Sequence, residues 1–146
     1  MRTELVVDCS TGEATEASLA MESLAEAQQR RWAEVKVRRD AAIDAGVTVA
    51  GIGIFDSDAI SRGNINGAVT GALMAQAAAA PFSVSWKLAD NSIVRLDAAQ
   101  MLLVGAAALA HVAAAHARSQ VLGAEILAAQ SPQEVDAIDT ESGWPQ

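Results

Sequence analysis

The chain has no tyrosine, two phenylalanines and three tryptophans, so it lacks the aromatic rows from which sugar-binding platforms and base-stacking surfaces are built. Its one cysteine, Cys9, cannot close an intrachain disulfide, and the cysteine usage gives no sign of an oxidising compartment. Cys9 reads as a small residue near a turn. Basic side chains are scarce as well: Lys and Arg number 10 against 18 Asp and Glu, for a net charge of −8. Phosphate affinity comes mostly from Lys and Arg, so a nucleic-acid partner is disfavoured. Long apolar runs are missing too. His111 interrupts the stretch from Met101 to Ala110 after ten residues, whereas a membrane span needs about twenty. A buried helix is expected there, and no membrane partner. At the start of the chain, Arg2, Thr3, Glu4 and Asp8 leave only Leu5 to Val7 apolar. That is too little for a secretory signal, and synthesis in the cytoplasm is expected.

What remains is a chain of 146 residues that is 51% hydrophobic, enough for one respectable core but not for two large domains. The pattern predicts an α+β fold. A small globular domain of β-hairpins packed on two long helices is expected over residues 46–146. An N-terminal hairpin and an extended oligomerisation or docking helix are expected over residues 1–45. In that helix, from about Ala20 to Ala45, Met21, Leu24, Gln28, Trp32, Val35, Arg39 and Ala42 recur at spacings of three or four. So thin an apolar seam buries too little to fold alone, and predicts that the helix leans on a partner chain or on the globular unit. Met21, Leu24, Trp32 and Val35 are therefore candidate interface residues. Five of the ten basic residues lie between Arg30 and Arg39; they read as a solvated helix face, with a docking patch for an acidic partner as the sharper alternative.

In the remainder, VTVAGIGIF predicts a second hairpin, and Asp56, Ser57 and Asp58 are expected to supply a helix cap. Within the helix that follows, Gly63, Gly67 and Gly71 fall on one stripe. Glycine there costs roughly 1 kcal/mol each, and close approach of another helix is the expected compensation. Phe82, Val84 and Trp86 alternate with polar residues in a third hairpin, with Trp86 a packing anchor. Asp97 and Gln100 then open the longest helix with a capping box, and Ser131, Pro132 and Glu134 open a short one. The closing Trp144 is expected against the core or in an interface.

Groups suited to chemistry are few. His111 and His116 lie five residues apart on a helix, which turns them about 140° from each other, whereas a metal pair wants one face. They read as hydrogen-bonded or polar-tip histidines. Asp56 and Asp58 lack the further oxygen ligands of a calcium loop and read as helix caps. No GxSxG elbow, phosphate loop or HExxH appears, and Gly51 and Gly53 lack the third glycine of a dinucleotide site. No cofactor, metal or catalytic residue is expected; a hydrolase built on His111 or His116 with Asp97 is the weakest of the alternatives.

The order FDSD, a small-residue helix, Trp86 followed by ADN and an apolar strand, LDAAQ, AHVAAAHARSQVLGAEI and a closing GWP runs from about Arg38 to Pro145. It resembles a family of unknown function found in bacteriophage tail and tail-fibre proteins. LVVDCSTGEATEASL is similar to the start of phage tail-fibre or tail-assembly proteins, with Ala20 where the usual pattern has a capping Thr. The resemblance implies a non-enzymatic structural component of a phage tail, in a fibre or baseplate accessory position, acting through protein–protein assembly. A tail-fibre assembly chaperone is the alternative. The resemblance also implies other tail or fibre proteins as partners, a homo-oligomer with a trimer favoured, and residence in the virion tail after assembly in the host cytoplasm.

Overall fold

The structure, a computed structural model, describes residues 2–7, 14–19 and 21–146, the first two segments as backbone only. Those two segments pair antiparallel as β1 (Arg2–Val7) and β2 (Ala14–Leu19), with Arg2 opposite Leu19 and Val7 opposite Ala14. The expected N-terminal hairpin is present. Ser10 to Gly12, where the turn is expected, together with Cys9 and Ala20, lie outside the described residues.

Helix α1 (Leu24–Asp44) begins where Ser23 and Glu26 cap it reciprocally: the Glu26 N–H donates to Ser23 Oγ at 3.3 Å, and the Ser23 N–H donates to Glu26 Oε2 at 2.8 Å. At its far end Gly46 takes φ +103°, a left-handed backbone that a Cβ would strain. The buried Ser57 closes this end, accepting from the Gly46 N–H at 2.8 Å and donating to the Ile43 carbonyl at 2.6 Å. Strands β3 (Val47–Val49) and β4 (Gly53–Phe55) form the second hairpin, which turns Val47, Val49 and Phe55 inward. Asp58 caps α2 (Ala59–Ala77), accepting from the N–H groups of Ile60 at 2.9 Å and Ser61 at 3.1 Å.

The third hairpin, β5 (Ser83–Lys87) and β6 (Ile93–Asp97), sets Val84 opposite Leu96 and Trp86 opposite Val94. Helix α3 (Ala98–Ala128) follows, with the predicted Asp97 and Gln100 box, and α4 (Pro132–Asp136) with Ser131 as its cap. Among the described residues the architecture is α+β: three two-stranded antiparallel hairpins and four helices.

Helix α3 is the common wall of the molecule, 31 residues and about 46 Å long at 1.5 Å per residue. Met101, Val104 and Ala108 in its first half share a core with Val47, Phe55, Ile65 and Leu96, beneath the hairpins and α2. Leu122 and Ile126 in its second half pack on Val35 of α1, with Trp32, Ile138 and Trp144 around them. A step of four residues from Ala115 to Ser119 interrupts the heptad rhythm of buried positions between the two halves. Each large apolar side chain so buried contributes roughly 1.5–3 kcal/mol. The separation of residues 1–45 from a globular unit at 46–146 does not hold for α1. Its seam is filled by α3 and α4 of the same chain, and His111 Nε2 lies 2.9 Å from the Ala42 carbonyl across the expected boundary.

Candidate interaction surface

Of the five residues expected at an interface, only Met21 is largely exposed, at 62%. Leu24 packs beside Ala27, Ala129 and Val135. Val35 is completely buried. Trp32 lies against Gly123, where an added Cβ would stand 3.1 Å from Cζ3. Trp144 closes the same cluster and donates its indole N–H to the Thr140 carbonyl at 2.9 Å. These side chains hold α1 and the C-terminal segment to α3, because a helix with so narrow a seam needs the nearest apolar face, and α3 supplies it.

The glycine stripe of α2 also departs from expectation. A Cβ at Gly63 or Gly67 would meet nothing within 4 Å, and one at Gly71 would meet only Phe82 Cε2 at 3.4 Å. Among the described residues no helix approaches Gly63 or Gly67. The helical glycines that do admit a neighbour are in α3: Gly123 against Trp32, and Gly105, where a Cβ would stand 2.6 Å from Val69 Cγ2. Trp86 of β5 is half-buried on the main core, its ring centroid 6.2 Å from that of Phe55.

The groups with chemical potential are dispersed or already engaged. His111 is buried and bonded to Ala42, His116 is exposed, and Asp97 caps α3. Fourteen residues of helix, about 21 Å, separate Asp97 from His111. Among the described residues no three His, Cys, Asp or Glu side chains cluster as metal ligands do. The Ser61 hydroxyl and N–H hold the Asp58 carboxyl below its usual range, as the Ser23 N–H and hydroxyl hold Glu26. The basic run serves largely as a latch. Arg30 pairs with Glu22 at 2.9 Å and Asp136 at 2.8 Å, Arg31 donates to the Ile138 carbonyl at 2.6 Å, and Arg38 pairs with Glu141. Arg118 adds donors to the Ser142 and Asp139 carbonyls, both at 3.0 Å.

A further apolar surface is the side of α3 turned away from both cores. Leu103, Leu109, Val121 and Leu127 are 59%, 73%, 51% and 76% exposed there, with exposed alanines between them. Beside it, between α1 and α3, runs a groove of about 540 Å³ lined by Gln28, Trp32, Gln120, Gly123, Ala124 and Leu127. No charged side chain lines this groove. By length and composition α3 could also cross a membrane, although one side of it is taken up by the two cores. The sequence signal for this face was the near-continuous apolar character of α3, which reads equally as all-round burial; its exposure required the fold. No curated protein and no solved structure matches the chain. Residues 26–140, from the first turn of α1 to beyond α4, match the family described as Domain of unknown function (DUF4376), and the chain belongs to that family.

Proposed function

We propose that this protein is a non-enzymatic structural part of a bacteriophage tail, in a fibre or baseplate accessory position, acting by protein–protein assembly. The observation that carries the assembly reading is the uncharged apolar side of α3, a surface of the kind that soluble chains cover with a partner. The tail itself enters through the resemblance of residues 38–145 and of the N-terminal segment to phage tail proteins. On this reading the chain is assembled in the host cytoplasm and resides in the virion tail. The groove beside Trp32 favours a second reading, a tail-fibre assembly chaperone that seats an apolar client segment there and then departs. Quantitative mass spectrometry of purified particles separates the two. Stoichiometric presence is expected for a tail part; presence in infected-cell lysates with absence from particles would transfer the role to the chaperone, and absence from both would end the phage assignment.

A further inference from the structure

Resting on the reading of this chain as an assembly part, we infer that the outward side of α3 is a self-association face. Its occupant is the same face of a second copy, running antiparallel across a two-fold axis at the level of Ala115.

The placement of the four large side chains supports this geometry. Leu103 and Val121 stand eighteen residues apart, five full turns, and so lie on one edge of the face; Leu109 and Leu127 have the same spacing and lie on the other edge. Between the edges runs a floor of small exposed residues that includes Ala106, Ala110, Ala113 and Ala117. Leu103 and Leu127 are each twelve residues from Ala115, Leu109 and Val121 each six. A two-fold axis at Ala115 therefore brings Leu103 of one copy to the height of Leu127 of the other, on opposite sides of the contact line. The same holds for Leu109 and Val121. The four side chains interleave over the alanine floor rather than collide, the self-complementarity that an isologous contact requires. Leu109 of the second copy also arrives over the groove lined by Trp32, Gly123 and Ala124.

Charge selects the same occupant. The chain carries a net charge of −8, yet the floor and both edges of this face hold no Asp, Glu, Lys or Arg; Gln120 and His116, near the Leu109 and Leu127 edge, are its polar groups. An acidic or basic partner would find no counter-ion here, while a second copy offers an equally neutral surface of the same length. Four large apolar side chains, each more than half exposed on one side of a single helix, make the kind of contiguous apolar patch that marks an interaction site.

Sedimentation equilibrium of the full chain tests the face. Twice the 15.1 kDa chain mass is expected, and Ala113→Glu, which puts a charge at an exposed floor position, is expected to weaken association by at least roughly a hundredfold with helical circular dichroism unchanged. Should that variant lose its helical signal, Leu109→Gln on the exposed edge provides the same comparison. A monomeric wild type, or an oligomer that withstands both substitutions, overturns the assignment. Flotation of a monomeric wild type with phosphatidylcholine vesicles would give the face to lipid instead. A dimer broken by Ala113→Glu stands even if the chain is absent from phage particles, so the two readings fail separately.

Discussion

At the residue scale the glycines divide into two kinds that the sequence alone does not separate. Gly63 and Gly67 read as a helix-contact stripe, yet they face open space, whereas Gly105 and Gly123 admit Val69 and Trp32 against the backbone of α3. The spacing of Gly63 and Gly67 was legible, but which helix side faces the core depends on the positions of Ile65 and Ala72, both buried. The two kinds should respond oppositely to an added methyl. Gly67→Ala is expected to stabilise the fold by about 0.5–1 kcal/mol, since helix propensity improves and nothing is met. Gly105→Ala should destabilise it by about 1–3 kcal/mol, because Val69 must move out of a filled core. Urea titration of the two variants checks both signs, and a shared sign would refute the distinction.

Among the elements, the helix starts were the most legible, because their chemistry is local. Asp58, Asp97 and Ser131 each cap the helix expected there, while α1 starts at Leu24, later than its apolar spacing from about Ala20 predicts, because Ser23 and Glu26 form the capping box. Acid should loosen this layer of the structure. Asp58, Glu26 and Asp139 are held below their ordinary values of 3.8, 4.5 and 3.8 by hydrogen bonds that only the folded chain provides. Their contribution is complete above those ordinary values and is lost as pH falls through the lower folded ones. Melting temperature is thus expected to be insensitive to these groups from neutrality down to about pH 5 and to fall below about pH 4. Asp58→Asn retains a capping acceptor without the charge and should flatten part of that fall. An unchanged acid limb in this variant would remove Asp58 from the account. What remained illegible at this scale was partner choice: the seam of α1 was visible, but its match to α3 is a contact across about a hundred residues that no local pattern encodes.

For the whole molecule, the decisive feature is that two cores share one helix. A cut between residues 45 and 46 is reasonable on composition, where a charged helix gives way to hairpins and alanine-rich helices. In the fold it would strip Val35, Trp32 and Ala27 from Leu122, Ile126 and Val135. A fragment of residues 46–146 should therefore lose cooperative thermal unfolding, while residues 21–146 should keep a single transition with the melting temperature of the full chain. Calorimetry of the two fragments provides the check, and a sharp transition in the shorter one would restore α1 as an independent arm. The same burial takes up most of the apolar seam of α1 on which a trimer is expected.

Because α3 passes without a break from the hairpin core to the core beneath α1, it behaves as a stiff strut with each end set in a separate socket. A load applied to the hairpins reaches the C-terminal segment along one unbroken helix with no intervening hinge. A proline at Ala114 would turn that strut into a joint, leaving two half-molecules free to swivel about it.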